Sequence, residues 1–131
     1  MSDDKQPLVL IVEDDQFLQR AYMAAFTKEG FNVAVAGDGE EGLKKVKEQK
    51  PDCVILDLML PKIAGFDVLK SLKADPETSG IPVIIMSNLG QEHDRKKAEE
   101  MGVANYLVKA NTDLEDAVKA VRESIRGKTG G

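Results

Sequence analysis

The sequence predicts an α/β fold in which a doubly wound, five-stranded parallel sheet is covered by five helices. Five short apolar runs alternate along the chain with segments whose apolar residues follow helical spacing. Such alternation is typical of a parallel sheet with helices on both faces. A chain of 131 residues can also bury one substantial core, so a single domain is expected.

The strands are predicted where branched and aromatic side chains cluster. They are expected over residues 8–12, 31–36, 53–56, 82–86 and 106–108. The first, third and fourth runs are continuously apolar, as strands buried on both faces are, whereas Asn32 interrupts the second and the fifth is short. Central strands one, three and four between edge strands two and five correspond to the flavodoxin-like order 2-1-3-4-5.

Four helices are predicted from apolar side chains that recur on one face. They are marked by Phe17, Ala21 and Ala24, by Leu43 and Val46, by Phe66, Leu69 and Leu72, and by Leu114, Val118, Val121 and Ile125. A further helix over residues 91–101, fourth in chain order, is mostly charged, so we expect it to be weakly anchored and mobile. The expected helix ends are caps at Asp15 and Asp38, a capping box of Thr112 with Glu115, and stops at Gly30 and Gly102.

Composition argues against several classes of function. A net charge of −5 disfavours binding to nucleic acid or to an anionic membrane through bulk charge. One cysteine and one histidine exclude an intrachain disulfide and the clusters that most transition metals use. No apolar run approaches about 18 residues and the acidic N-terminus does not resemble a secretory signal, so we expect a cytoplasmic protein.

Side chains with useful chemistry follow four of the predicted strands. They are Glu13, Asp14 and Asp15 after the first strand, Asp57 after the third, Ser87 after the fourth and Lys109 after the fifth. The carboxyl ends of parallel strands meet at one edge, where ligands bind at the switch point between the first and third strands. Clustered carboxylates repel one another, and a hard cation such as Mg²⁺ relieves that repulsion.

The same edge suits phosphoryl chemistry. Lys109 and Ser87 are suitable partners for phosphate oxygens, and Asp57 is the natural nucleophile because aspartate can form an acyl phosphate. One acidic residue at a strand end is usually a cap or a solvated turn. The interpretation therefore depends on all four strand ends together.

These segments resemble the receiver domain of bacterial two-component response regulators, particularly the single-domain, chemotaxis-regulator-like members. The resemblance covers residues 7–126 in the family's order and spacing. It is carried by the segments 9–15, 51–57, 82–87 and 106–109, with Leu60, Pro61 and Gly65 behind the second.

The resemblance implies a role for each matching residue. Asp57 would accept a phosphoryl group from a phosphohistidine on a sensor histidine kinase. Asp14, Asp57 and the backbone carbonyl of Met59 would bind Mg²⁺ directly, and Glu13 would act through water.

The phosphate would be held by the remaining strand ends. Lys109 would contact Asp57 or its phosphate, and Ser87 would donate a hydrogen bond to a phosphate oxygen. Asn88 would stand beside the phosphate, either crowding it or donating to it. Tyr106 would be the switch aromatic, turning inward as Ser87 moves toward the phosphate.

The chain also departs from the family pattern. Ala110 replaces the usual proline after Lys109, so we expect a trans peptide bond there. Met59 and Leu89 are apolar where some members carry groups that position an attacking water, so hydrolysis of the phosphorylated form is expected to be slow. We expect His93 to be exposed and Cys53 to be an inert core residue.

The function that the resemblance implies is a stand-alone signalling switch, and we do not expect a turnover enzyme. We expect a tail at residues 1–6, a receiver domain at 7–126 and a flexible tail at 127–131, with output through the face of helix 4, strand 5 and helix 5. The alternatives are a phosphorelay shuttle to a histidine phosphotransfer protein and a receiver cut from a larger regulator. A phosphohydrolase would need a D-x-D motif after strand one, and a flavin carrier a hydroxyl- or glycine-rich phosphate loop there. The chain has Glu-Asp-Asp.

Overall fold

The computed structural model describes residues 6–88 and 92–130, with side chains as far as residue 127. The elements alternate strictly between strand and helix. In order they are β1 (Leu8–Val12), α1 (Gln16–Lys28), β2 (Asn32–Ala36), α2 (Gly39–Gln49), β3 (Cys53–Leu56), α3 (Gly65–Ala74), β4 (Val83–Ser87), α4 (Glu92–Glu100), β5 (Asn105–Val108) and α5 (Leu114–Gly130). A short 3-10 turn at Lys109–Asn111 joins β5 to α5.

All five strands are parallel and their order is β2-β1-β3-β4-β5, which confirms the predicted fold class and strand order. The three central strands are almost completely buried, whereas β2 is mostly half-buried. One apolar cluster packs beneath α2 and α3, and a second packs beneath α1 and α5. The sheet is therefore covered on both faces, as continuously apolar strands require.

Four strand ends, on three of the strands, differ from the prediction by one residue. Phe31 lies before β2, where its ring packs edge-to-face on Phe26 with centroids 5.2 Å apart. Proline lacks an N–H for the ladder, so β4 begins one residue after Pro82 and extends to Ser87. The fifth strand begins one residue before the predicted start, at Asn105.

All but one of the predicted helix starts and stops are confirmed. Asp15 accepts hydrogen bonds from Phe17 and Leu18 N–H, and Asp38 accepts one from Glu41 N–H. The predicted glycine stops follow α1 and α4 in the left-handed region, with φ of +92° at Gly30 and +88° at Gly102.

The predicted capping box of Thr112 with Glu115 is wrong by one residue. Asp113 and Asp116 form it instead, each carboxylate accepting from the other residue's backbone N–H at 2.9 and 3.2 Å. Both pairs have the right spacing, but α5 begins at Leu114, which places Asp113 at the cap.

Some predicted features fall outside the part of the chain that the structure describes. These are Leu89, Gln91 at the start of the predicted fourth helix, residues 1–5 of the N-terminal tail and Gly131. The helix α5 continues to Gly130, beyond the predicted domain end at Arg126. Within the described segments, no helix combines the length and apolarity needed to cross a bilayer.

Candidate functional site

The sheet register brings Glu13 and Asp57 to the same level of the sheet. Val12 and Leu56 are partners across the β1–β3 pair, so the next residue on each strand faces the same edge. Lys109 reaches this edge from the end of β5. Its Nζ lies 2.7 Å from Glu13 Oε1 and 2.9 Å from Asp57 Oδ2, and both carboxylates are buried.

Asp57 is held on both of its carboxylate oxygens. Oδ2 accepts from Lys109, and Oδ1 accepts from the Met59 backbone N–H at 3.0 Å. The backbone behind it is tightly packed, because a Cβ at Gly65 would lie 2.5 Å from the Asp57 carbonyl oxygen and from Leu58 Cα. A glycine at the start of α3 is therefore needed to seat Asp57.

Glu13 is fixed by its own loop and by α1. Its Oε2 accepts from Asp15 N–H at 3.1 Å, and its carbonyl oxygen accepts from Gln19 Nε2 at 2.5 Å. The sequence did not identify Gln19 as a site residue. A polar residue in the second turn of a helix is ordinary, so no sequence signal marks this contact.

Glu13, Asp14 and Asp57 form a group that could hold a metal ion. Each offers a carboxylate oxygen, and these oxygens lie within 4.8 Å of one another. Three carboxylates face one lysine, so their repulsion is only partly compensated. An oxygen-only donor set with one solvent-exposed member, Asp14, fits a hard divalent cation that keeps some of its waters.

Burial and ion pairing have opposite effects on the pKa values of buried Glu13 and of half-buried Lys109. Burial raises the pKa of Glu13 above its ordinary value, although hydrogen bonds from Lys109 and Asp15 act to lower it. Burial alone would lower the pKa of Lys109, but its hydrogen bonds to Glu13 and Asp57, with their charges, outweigh burial and raise it. Lys109 is therefore firmly cationic at neutral pH.

Ser87 and Tyr106 are both buried, at 0% and 3% exposure, on the neighbouring strands β4 and β5. The tyrosine ring faces inward. Burial raises the pKa of Tyr106, and a hydrogen bond with Ser87 acts in the opposite direction. These two side chains therefore link β4 to β5 beside the site.

The other predicted residues are placed as follows. Asn88 lies exposed in a bend after β4, and the Met59 side chain is 62% exposed beside the site. No cis peptide bond occurs among the described residues, so the bond to Ala110 is trans as expected. His93 is exposed, and Cys53 is fully buried with its Sγ 3.4 Å from Ser124 Oγ, as predicted.

The sequence profile of the response regulator receiver domain matches residues 9–122. The chain belongs to this family. The resemblance identified from the sequence is thereby confirmed. Receiver domains are signalling switches that phosphorylation activates, rather than classical enzymes.

Curated relatives share the receiver region. The DNA-binding response regulator MtrA of Mycolicibacterium smegmatis is 37% identical over 124 residues, covering 95% of this chain and 53% of its own length. The regulator RpaA of Synechocystis is 35% identical over 120 residues, covering 92% of this chain and 49% of its own. The activator PfeR of Pseudomonas aeruginosa is 42% identical over 103 residues, covering 79% and 33%. The chain thus spans about half or less of these relatives.

Solved structures show the same fold. A Francisella response regulator receiver domain superposes with a TM-score of 0.86 at 26% identity, covering 93% of this chain and 98% of its own. A CheY-like receiver domain protein from Methanospirillum hungatei gives a TM-score of 0.87 at 22% identity, covering 96% and 98%. The five-stranded arrangement is therefore that of receiver domains.

Proposed function

We propose that Asp57 accepts a phosphoryl group from a phosphohistidine on a sensor histidine kinase, and that the phosphorylated domain binds a target protein through α4, β5 and α5. The observation that carries this proposal is the environment of the Asp57 side chain. It is a buried carboxylate held by Lys109 and by a backbone N–H, beside two further carboxylates. Membership of the receiver-domain family supports the assignment of Asp57 as a phosphoacceptor.

The transfer needs few protein groups. A carboxylate oxygen of Asp57 forms the new O–P bond, the N–P bond of the phosphohistidine breaks, and the leaving imidazole nitrogen takes a proton. Lys109 stays charged because its pKa is raised. Its ammonium group can therefore form ion pairs with the phosphoryl oxygens.

The metal ligands in this proposal are Asp14, Asp57 and the backbone carbonyl of Met59, with Glu13 acting through water. Mg²⁺ is the ion that we propose, because the carboxylate donors are hard oxygens and one of them faces solvent. Once bound, Mg²⁺ would offset the negative charge that gathers between the carboxylates and the phosphoryl group.

The output is a shift between two packings of the β4–β5 edge. Ser87, with Asn88 beside it, would hydrogen-bond the phosphate, and Tyr106 would follow Ser87 because the two side chains share a hydrogen bond. The phosphate then acts as the ligand that favours one packing.

Two exposed apolar side chains, each close in sequence to a site carboxylate, support a protein as the phosphodonor. Phe17 is 85% exposed at the start of α1, where its N–H bonds the Asp15 carboxylate, and Met59 is 62% exposed next to Asp57. Aromatic residues and methionine are enriched in protein–protein interfaces. The MtrA and RpaA relatives are described as DNA-binding. For this acidic region we propose protein partners in the cytoplasm, without direct contact to nucleic acid or membrane.

Incubation with acetyl phosphate, with and without Mg²⁺, tests the proposal by intact mass. The wild type is expected to gain one phosphoryl group only with Mg²⁺, and Asp57→Asn to gain none. Asp15→Asn is the matched control, because asparagine caps a helix as well as aspartate does and the charge change is the same. Labelling of Asp57→Asn equal to that of the wild type would contradict the proposal.

A further inference from the structure

Two cations of helix α4 contact aromatic rings of neighbouring elements. Within α4, all of which is described, Ala98 is the only buried residue. The Arg95 guanidinium lies 5.1 Å from the centroid of the Tyr106 ring, and Lys97 Nζ lies 4.3 Å from the centroid of the Phe66 ring. Cations at these distances are attracted to the ring faces, so they supply attachment that apolar burial does not.

Arg95 makes a second contact with the same tyrosine. Its Nη1 donates a hydrogen bond to the Tyr106 carbonyl oxygen at 3.4 Å. One side chain of α4 therefore touches both the ring and the backbone of Tyr106, while the tyrosine shares a hydrogen bond with Ser87 at the site edge. Lys97 differs, because its ring partner belongs to α3.

We propose that Arg95 is a positioning residue that holds Tyr106 in its inward packing and so favours the arrangement that phosphorylation would select. This inference rests on the proposed switch role of Tyr106. The Tyr106 ring is packed inward, with 3% of its surface exposed. Removal of Arg95 takes away a cation–ring contact and a hydrogen bond to Tyr106, so the outward packing is expected to gain population.

The chain has only two tyrosines, so the packing of Tyr106 can be followed by NMR. A protein labelled with 3-fluorotyrosine has two ¹⁹F resonances, from Tyr22 and Tyr106, which Tyr106→Phe assigns. Arg95→Ala and Arg95→Gln are expected to move the Tyr106 resonance toward its solvent-exposed position and to leave that of Tyr22 in place. Lys97→Ala is the matched control, since it removes a cation stacked on a ring from the same helix.

The second readout is the rate of Asp57 labelling by acetyl phosphate with Mg²⁺. The Arg95 variants are expected to be labelled about three- to tenfold more slowly, the range that one partly desolvated cation–π contact supports, and Lys97→Ala at the wild-type rate. The proposal is overturned if the Tyr106 resonance does not move in the Arg95 variants. It is also overturned if Lys97→Ala changes both readouts as much as the Arg95 variants do. A moved resonance with an unchanged rate also overturns it.

The two proposals fail in distinguishable ways. If acetyl phosphate does not label the wild type, the proposed phosphoacceptor function fails. The ¹⁹F comparison of Arg95→Ala with Lys97→Ala then still decides whether Arg95 positions Tyr106.

Discussion

Lys109 bridges Glu13 and Asp57, with its Nζ 2.7 Å from one carboxylate and 2.9 Å from the other. The three residues come from the ends of β1, β3 and β5, so this one cation links both halves of the sheet at the site. Removal of Lys109 would leave the two buried carboxylates facing each other without a cation between them.

Lys109→Met is expected to destabilise the domain at pH 7 by about 1–3 kcal/mol, because two buried carboxylates lose their charged partner. The raised pKa of Lys109 means that its stabilising contribution is present below its ordinary value of 10.5 and is lost as pH rises through the higher folded value. Urea unfolding at pH 7 checks the loss. Lys119→Met, on an exposed position of α5, is the control and should change stability by less than about 0.5 kcal/mol.

Glu13→Gln is expected to raise the melting temperature in the absence of Mg²⁺, because glutamine is neutral and avoids the cost of burying a charge there. Burial raises the pKa of Glu13, so the protonated form is favoured in the fold. The stability from that form is present below the ordinary value of 4.5 and is lost as pH rises through the folded pKa. Melting curves of both proteins across this interval should converge at low pH. A wild-type protein that gains stability as pH rises through this interval, relative to the variant, would refute this reasoning.

Addition of Mg²⁺ is expected to stabilise the wild type by about 2.7 kcal/mol when the free ion is a hundredfold above its Kd. Asp14→Asn removes the exposed carboxylate of the group and should lose most of this gain. Thermal unfolding with and without the ion measures the difference. Asp15→Asn should keep the full gain, and an equal loss in both variants would point to general charge screening.

Gly65→Ala is expected to cost about 1–3 kcal/mol in the free energy of unfolding, because the new Cβ meets the Asp57 carbonyl oxygen at 2.5 Å. Alanine normally favours a helix, so propensity alone predicts the opposite sign. Gly80→Ala, where the Cβ meets nothing within 4 Å, is the matched control in urea titrations. Equal stabilities for the two variants would show that the contact relaxes without cost.

Hydrolysis of phosphorylated Asp57 is expected to be slow, with Met59→Asn accelerating it, since the exposed methionine beside Asp57 offers no hydrogen bond to an attacking water. Loss of the phosphoryl mass over time, without a phosphatase, measures the rate. Decay of the wild type within seconds would contradict this prediction. If the phosphoryl group is lost only when a histidine phosphotransfer protein is added, the phosphorelay alternative would be favoured instead.

The strand order and the convergence of Glu13, Asp57 and Lys109 could be predicted, because burial patterns fix which strands are central and parallel strands end at one edge. The cap of α5 could not, since two pairs of residues satisfy the same spacing.

The contacts of Gln19 and Arg95 could not be predicted either. Each depends on where a long side chain of one helix meets the backbone of another element, and no periodicity records that.

The most direct test of the central claim is to find the residue that carries the phosphoryl group. Borohydride reduces an acyl phosphate of aspartate to homoserine, which peptide mass mapping locates after labelling with acetyl phosphate and Mg²⁺. The account predicts homoserine at position 57 and unmodified Glu13 and Asp14. Reduction at either of those two residues, with Asp57 intact, would contradict it.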